Sequence, residues 1–440
     1  MTDLNGLRER LSGVWLPGDD EYEAIRPKYA LAGEPAVILR PGTPDEIKEA
    51  LRYAEDETTP VSVRSGGHGA SIFPNPGGVV IDLGRLDSIE IADDGRVRVG
   101  AGATWGAVAQ ALAERGLGLS SGDTRQVGVG GLTLGGGIGW MVRQYGLALD
   151  QLVEATLVTA SGEVVTANET VNPELFWALR GGGGNFGVVT EFVFQAHPQG
   201  DVYHGTIALD PEQLPAAIRG LRDVMRSAPE ELNVTLVAFP SFGPDVPAGA
   251  QLLVCYANDD QAAADAAVAP LLALPGAGAS TIARKQYFDV LEDAVPPPPG
   301  TIVGENGFIR DFSDDAIDAL LATREAMMPS MLMIRALGGA YARVPEDATA
   351  FPHRTAEAWA FVGSILPPDA TPEAIEAKRA IWRGVSEYLT GTYGNFRQNT
   401  DAEVVSRMYP GSTYERLAAV KGEWDPENVF RVNHNVAVPA

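Results

Sequence analysis

The sequence predicts an α+β fold with more than one domain, and three observations support this. The chain has 440 residues, long enough for two or three domains with a sizeable core. Up to about residue 200, short β-branched runs are separated by helical patterns and by clusters of glycine. Beyond that point, strands alternate with long alanine-rich helices, which is typical of a sheet covered by helices. We therefore expect domains at 1–200 and 201–390, with residues 391–440 returning to the first domain.

The composition is that of an ordinary soluble protein with a strong acidic balance. Hydrophobic residues make up 45% of the chain and charged residues 21%, which excludes the disordered class. The formal net charge is −25, so no basic stripe exists to neutralise phosphates. We therefore expect neither a nucleic acid nor an anionic membrane as a partner, and the acidity itself indicates solubility or a salty habitat.

Cysteine usage and the start of the chain limit the site chemistry and the compartment. Cys255 is the single cysteine, so neither an internal disulfide framework nor a CxxC metal site is possible. No His, Asp, Glu and Cys set has metal-site spacing, and we expect no metal. The first ten residues lack the apolar core of a signal peptide, and no apolar run reaches the roughly 18 residues of a spanning helix. These absences favour a cytoplasmic protein, expected to be a monomer or homodimer.

Local patterns predict the elements of the first 200 residues. Thr43 is a typical helix cap, with Pro44 at the first turn and Glu46 three residues further on. Thr104 caps a second helix, and a third, short helix is expected at 173–180. The β-branched and alternating runs predict strands at 36–40, 61–63, 78–83, 89–91, 97–99, 152–160, 163–167 and 188–194.

The second half of the chain has longer periodic segments. Its apolar patterns predict strands at 203–209, 233–238, 251–256, 331–344 and 358–365. Its alanine-rich segments predict helices around 211–227, 260–273, 313–328 and 371–390. Pro296 to Pro299 form a proline run, which we expect to be a surface loop.

The stretch from Val61 to Ala70 carries the first functional signal. Its β-branched run ends in Arg64-Ser65-Gly66-Gly67-His68-Gly69. Glycines on both sides of a histidine let the backbone approach a ligand closely, and successive N–H groups can form an anion-binding nest. A histidine at the rim of such a nest lies beside whatever carries the phosphates. On its own, His68 is equally consistent with a hydrogen-bonded structural histidine.

Three glycine clusters, at 66–69, 128–139 and 181–187, indicate one long ligand held by backbone from several loops. A Rossmann dinucleotide site would instead need a strand, GxGxxG, a helix and an acidic residue about 20 positions on, and no such unit occurs. Tight turns alone are the other alternative. In the stretch 122–139, seven of the last twelve residues are glycine, so we expect a ligand loop without a regular element.

Five motifs carry a resemblance to a known family. They are Arg64–His68, Val127–Gly137, Tyr145–Asp150, Glu174–Thr190 and Tyr414–Asn435. Together they resemble the FAD-linked oxidases of the vanillyl-alcohol-oxidase superfamily. Within it they are most similar to the berberine-bridge-enzyme-like group, which includes bacterial nicotine oxidases and antibiotic-tailoring oxidases. The resemblance implies a two-part PCMH-type FAD-binding domain and a substrate domain whose antiparallel sheet is covered by helices.

The resemblance also implies FAD as the cofactor and assigns its contacts. The family's histidine, which is joined to the 8α-methyl group of the flavin, matches His68. Many relatives carry a second, cysteinyl link, and Thr124 stands at that position, which leaves a single covalent bond. Val127 matches the residue that gates oxygen access, where a small side chain accompanies oxidase behaviour. The remaining implied cofactor residues are Arg64, Ser65, Gly66, Gly67, Gly69, Gly128, Gly131, Gly135, Gly136, Gly184, Gly187, Val189, Asn433 and Asn435.

The reaction implied by the family is hydride transfer from a C–H bond to flavin N5, with a base taking the proton of the adjacent O–H or N–H. Tyr393 matches the first tyrosine of the family's Tyr-x-Asn-Tyr motif and is a candidate base, with a core role as the alternative. Phe396 and Ile138 replace other active-site tyrosines of relatives. Strand alternation puts Tyr341 and Arg343 on one face, where Tyr341 could substitute. Arg343 cannot be a base; it binds a substrate carboxylate or oxygen, or else pairs with a surface acid.

Three functions stay open from the sequence. The first is an FAD oxidase acting on an alcohol or amine C–H of a secondary metabolite, alkaloid, polyketide or sugar, with molecular oxygen reduced to peroxide. The second is a dehydrogenase of the same fold that uses another acceptor. The third is a flavin-binding protein without chemistry.

Overall fold

The computed structural model of the chain describes residues 4–26, 33–69, 75–241, 247–294 and 300–439. Its α-helices are α1 Leu4–Arg10, α2 Asp20–Ile25, α3 Pro44–Asp56, α4 Trp105–Ala113, α5 Val129–Gly135, α6 Val142–Tyr145, α7 Pro173–Leu179, α8 Leu214–Ser227, α9 Gln261–Leu272, α10 Asp314–Ala326, α11 Ala340–Arg343, α12 Pro372–Trp382, α13 Ala402–Met408 and α14 Ser412–Trp424. Its strands are β1 Val14–Trp15, β2 Val37–Leu39, β3 Val61–Arg64, β4 Val79–Asp82, β5 Ile89–Ile91, β6 Arg96–Gly100, β7 Leu117–Gly118, β8 Leu152–Val158, β9 Val164–Asn168, β10 Val188–Gln195, β11 His197–Pro198, β12 Val202–Leu209, β13 Leu232–Phe239, β14 Gly249–Tyr256, β15 Ala277–Ser280, β16 Ala283–Lys285, β17 Thr301–Ile309, β18 Ser330–Ala336, β19 Ala358–Leu366 and β20 Leu389–Gly391.

The first 200 residues form two principal sheets. One has the order β1-β2-β4-β3, in which β2, β4 and β3 run parallel. The other is antiparallel, with the order β5-β6-β10-β8-β9. Local signals build these elements as expected, because Thr43 caps α3 by accepting the Glu46 N–H and Thr104 caps α4 by accepting the Ala107 N–H. The predicted strands and helices of this part are therefore confirmed.

A nine-stranded antiparallel sheet takes its strands from residues 202–391. Its order is β15-β12-β14-β13-β18-β19-β17-β20, and β16 pairs with β12 beside β15. Helices α8, α9 and α10 bury Leu221, Leu271 and Leu320 in one core with residues of the sheet. The α+β class, with an antiparallel sheet covered by helices, is confirmed.

The C-terminal residues pack against the first part of the chain. Leu417 of α14 and Phe430 belong to the same buried core as Trp105 and Phe192. Arg416 pairs with Glu174 of α7 at 2.8 Å. The domain boundaries at residues 200 and 390 stay predictions, which this distribution of strands and packing supports.

Three local expectations are wrong, and one strand has no counterpart among them. The strand predicted over 331–344 ends at Ala336, because Gly338 and Gly339 adopt φ of +111° and +58° and turn the chain into the short helix α11. The glycine-rich loop contains a regular element, α5. The helix predicted over 371–390 ends at Trp382 and continues as a 3₁₀ segment and β20. Strand β17 was not predicted. The proline run 296–299 and Ala70 lie outside the described residues.

Candidate active site

A cavity of about 990 Å³ opens between the glycine loops and the nine-stranded sheet. Of the predicted site residues, the described structure brings fifteen into its wall: Ser65, Gly66, Gly67, His68, Gly69, Thr124, Val127, Gly128, Gly131, Gly135, Gly184, Gly187, Val189, Tyr393 and Asn433. It leaves Arg64, Gly136, Tyr341, Arg343 and Asn435 out of the wall. The volume is at the upper end for a site that encloses a cofactor-sized ligand.

Gly66 and Gly128 join two of the glycine loops by direct backbone contact. A Cβ on Gly66 would lie 2.7 Å from the Gly128 Cα and from the Gln126 carbonyl oxygen, and a Cβ on Gly128 would lie 2.8 Å from the Gly66 Cα. The Ser65 hydroxyl donates to the Ala101 carbonyl at 2.6 Å. Only glycine permits this approach, so these two residues shape the cavity wall.

Gly131 and Gly184 face open space instead. A Cβ built on either residue would meet no atom within 4 Å. Neither position requires glycine for its own packing, so both leave open space beside the backbone. This space can accommodate a ligand close to the main chain, and the long ligand that the three clusters indicate stays a prediction.

His68 lies half-buried on the wall, at the end of β3. Burial lowers the pKa of its imidazole, and the neighbouring Arg64 guanidinium lowers it further, so the ring is neutral at pH 7. Arg64 itself forms an ion pair with the buried Asp82, which also binds Arg40 at 3.0 Å. The Arg64 guanidinium is therefore held by Asp82 and acts on His68 by charge, and a contact of Arg64 with the ligand stays a prediction.

Thr124 and Val127 lie on a loop that is fixed from behind. The Arg125 N–H donates to the Glu292 carbonyl and the Glu292 N–H donates to the Asp123 carbonyl, both at 2.9 Å. This bridge holds Thr124 against the cavity without using its side chain.

The third glycine loop is tied to the C-terminal residues by Lys421, which is fully buried. Its ammonium donates to the Asn185 carbonyl at 2.8 Å, to the Asp425 carboxylate at 2.6 Å and to the Phe430 carbonyl at 2.9 Å. Asn433 donates to the Gly184 carbonyl at 3.0 Å. One side of the cavity therefore exists only when the chain end has docked.

Unpartnered polar atoms mark the same side of the cavity. The buried Oδ1 of Asn433 and Nε2 of His434 have no hydrogen-bond partner among the described residues. Buried polar groups are normally satisfied, so these atoms fit a missing polar ligand. Asn435 also has an unpartnered Oδ1 and lies outside the wall, so its contact with the cofactor stays a prediction.

Tyr393 is buried, and its hydroxyl oxygen accepts three N–H groups. The donors are the Gly137 N–H and the Asn395 side chain at 2.9 Å, and the Ile138 N–H at 3.4 Å. Burial raises the pKa of Tyr393, and these hydrogen bonds offset part of the rise. Gly136 supports the ring from outside the wall, since a Cβ there would lie 3.1 Å from it.

Tyr341 and Arg343 do not reach the cavity, which corrects their predicted roles. They lie on α11 rather than on a strand, so the alternation that put both on one face does not apply. The Tyr341 hydroxyl donates to the His353 carbonyl in a buried cluster. Arg343 is exposed and pairs with Glu230, which is the surface alternative.

Outside the glycine loops the cavity wall is largely apolar, and the wall as a whole contains one acid that the sequence analysis missed. Met331, Met333, Phe361 and Phe396 line it. Asp123 is the only Asp, Glu, Lys or Arg in the part of the wall that the structure describes. The available signal was its position beside Thr124, inside the glycine-rich stretch.

Two features are absent from residues 4–26, 33–69, 75–241, 247–294 and 300–439. No helix there combines the length and apolar character needed to cross a bilayer. No group of His, Cys, Asp and Glu side chains in those ranges could hold a metal ion.

Comparison with known proteins agrees with this site. The family model for an FAD binding domain matches residues 35–168, and the model for berberine and berberine-like proteins matches residues 392–437. (R)-6-hydroxynicotine oxidase from Paenarthrobacter nicotinovorans is 32% identical over 96% of each chain.

Solved structures are similar over nearly the whole chain. The crystal structure of 6-hydroxy-D-nicotine oxidase from Arthrobacter nicotinovorans has a TM-score of 0.85 and 27% identity, covering 97% of both chains. Glucooligosaccharide oxidase from Acremonium strictum, described with 6-S-cysteinyl, 8α-N1-histidyl FAD, has a TM-score of 0.83 and 25% identity, covering 98% of this chain and 100% of that one. The chain therefore belongs to the berberine-bridge-enzyme-like family of FAD-dependent oxidoreductases.

Proposed function

We propose that this protein is an FAD oxidase that oxidises an alcohol or amine C–H bond of a small molecule, such as a secondary metabolite, alkaloid, polyketide or sugar. Bound FAD would supply the hydride acceptor for this reaction, and molecular oxygen would take up the two electrons as hydrogen peroxide. The observation that carries the proposal is a half-buried His68 on a cavity wall built from three glycine loops.

The chain's own residues are suited to hold FAD. The space in front of Gly131 and Gly184 accepts a ligand close to the backbone. Oδ1 of Asn433 and Nε2 of His434 offer polar contacts that nothing else in the described structure uses. Successive N–H groups of the Ser65–Gly69 loop are suited to the pyrophosphate.

His68 is proposed as the single covalent attachment point, at the flavin 8α carbon. The new bond would replace one C–H bond of the 8α-methyl group and the imidazole N–H, and the two protons and two electrons would leave with oxygen as hydrogen peroxide. It needs the nitrogen lone pair, and burial together with Arg64 keeps the imidazole neutral. Thr124 has no thiol for a second bond. Cys255 is buried outside the cavity wall, so it supplies none either.

Tyr393 is proposed as the base that takes the substrate O–H or N–H proton. Three N–H donors around its oxygen stabilise the negative charge of a phenolate there. Asn395 positions this oxygen, since its amide donates to Tyr393 and also to the Leu132 carbonyl at 3.3 Å. Apolar Met333 and Phe361 exclude water from the reacting carbon.

Oxygen is proposed as the electron acceptor because Val127, which matches the residue that gates oxygen access in the family, has a small side chain. The alternatives are a dehydrogenase with another acceptor and a flavin-binding protein without chemistry. Mixing substrate-reduced enzyme with oxygen separates them, since fast reoxidation is expected of an oxidase and slow reoxidation of a dehydrogenase. A panel of alcohols, amines and sugars that never bleaches the flavin would support the inactive alternative.

The covalent link is tested by acid precipitation of the purified protein. Wild-type protein should stay yellow in the pellet, whereas His68→Ala should release its flavin into the supernatant. His434→Ala is the matched control, because it removes another imidazole from the same wall and should keep the flavin bound covalently. Colour that remains in the His68→Ala pellet would contradict the assignment.

A further inference from the structure

Asp123 stands out because it is the only Asp, Glu, Lys or Arg in the described part of the cavity wall. The same wall carries thioethers and aromatic rings, including Met331, Met333 and Phe361. A carboxylate on such a surface is costly unless a charged or hydrogen-bonding group answers it. The proposed oxidation does not use Asp123, so its presence needs a separate explanation.

Arg335 holds the carboxylate from behind the wall. Its Nη2 donates to Oδ2 of Asp123 at 2.7 Å, and its Nε donates to the Thr235 hydroxyl at 2.8 Å. The guanidinium lies over the Trp140 ring at 5.0 Å. The Arg335 side chain is 6% exposed and that of Asp123 is 36% exposed. The positive end of the pair is therefore buried, and the negative end faces the cavity.

The second carboxylate oxygen remains available to a ligand. A carboxylate has two acceptor oxygens, and Arg335 takes one of them; no donor in the described part of the chain reaches Oδ1. The backbone of Asp123 is fixed because its carbonyl accepts the Glu292 N–H at 2.9 Å. The acceptor is therefore preorganised before any ligand arrives.

Asp123 and Tyr393 share this cavity. Both line it, and the charge of Asp123 contributes to the raised pKa of the Tyr393 hydroxyl. A substrate nitrogen with two N–H groups could donate one to Asp123 and present the other to Tyr393. The rings of Phe361 and Phe396 would also attract a cation, and the net charge of −25 favours its approach.

We infer that Asp123 is a specificity-determining residue that accepts an N–H hydrogen bond from a protonated primary or secondary amine. The substrate class is then a small cationic amine with an apolar or aromatic body. This inference rests on the proposed function, since it identifies the substrate of the same cavity.

Calorimetric titration of the flavin-loaded protein at pH 7 tests it, with two probes of equal shape. 4-Phenylpiperidine is a cation at this pH and 4-phenyltetrahydropyran is neutral. Wild-type protein should bind the cation about tenfold more tightly or better, as expected for a charge-assisted hydrogen bond. Asp123→Asn should lose that preference, and Asp123→Glu should keep most of it. Asp289→Asn, an exposed site off the wall with the same change in charge, should keep all of it.

Two results would overturn the inference. Equal affinity of the wild-type protein for both probes would overturn the inference. This test uses no variant, so it stays valid even if Asp123→Asn does not fold. The other is an Asp123→Asn protein that keeps its preference but reduces flavin more slowly with amines and alcohols alike, which would make Asp123 a base. Because binding heat needs no turnover, a protein that prefers the cation yet never releases peroxide would count against the oxidase and leave this inference standing.

Discussion

Replacing Gly66 by alanine would insert a methyl group into the backbone contact between two glycine loops. The new Cβ would lie 2.7 Å from the Gly128 Cα and the Gln126 carbonyl oxygen, and ordinary contacts begin near 3.4 Å. The Gly128 backbone nitrogen would lie closer still, so the loops must separate by more than about 0.7 Å, and every obstructing atom belongs to backbone, which cannot rotate away. Overpacking of this kind costs about 1–3 kcal/mol. We expect the free energy of unfolding to fall by that amount and flavin content to drop.

Gly131→Ala is the matched variant that separates packing from ligand contact. Its Cβ would meet no atom within 4 Å, and the residue lies in α5, where alanine is favoured over glycine by up to about 1 kcal/mol. The flavin-free variant should be as stable as wild type or slightly more stable, yet hold less flavin. Urea unfolding and the ratio of flavin to protein absorbance measure the two effects. Normal flavin content in Gly131→Ala would refute the idea that FAD lies against this backbone.

Three further predictions concern buried groups. Lys421→Met leaves the Asp425 carboxylate buried without its cation, so urea unfolding should show a loss of about 3–5 kcal/mol; an unchanged midpoint would contradict this. The raised pKa of Tyr393 means that kcat/KM should climb with pH through the alkaline range, and Tyr393→Phe should lower kcat about 10²–10⁴-fold and flatten that profile while flavin content holds. Burial lowers the pKa of His204 to about 4, so the unfolded chain binds its proton first as pH falls. Stability should then decline between about pH 6.5 and 4, by up to about 3 kcal/mol for this group, and less steeply in His204→Asn.

Elements set by local chemistry could be read from the sequence, and those set by distant contacts could not. The Thr43 and Thr104 caps satisfy N–H groups three residues away, so a short window contains the whole signal. Strand β17 includes Gly304, Glu305, Asn306 and Gly307, which a local pattern rejects. It forms because β19 and β20 pair with it on both sides.

The site divides in the same way. The three glycine clusters predicted a cavity lined by backbone, because a glycine cluster indicates either a ligand or another backbone segment in close contact. The position of Arg343 could not be predicted for two reasons. Two glycines upstream end the strand and start a helix, and Glu230, which is distant in sequence, forms an ion pair with Arg343. Asp123 was missed because its carboxylate is held in the cavity wall by Arg335, which is 212 positions away in the sequence.

The bond from Asn433 to the Gly184 carbonyl joins residues 249 positions apart. Lys421 closes a comparable loop to Asn185, 236 positions away. Contacts between residues so far apart in sequence form late in folding. Closing such a long loop costs conformational entropy, and this cost is offset only after the intervening chain has folded. During synthesis, the glycine loops therefore emerge and fold well before the wall that completes their cavity. Because the chain end completes one side of the cavity, we expect a chain that stops before α14 to hold no flavin.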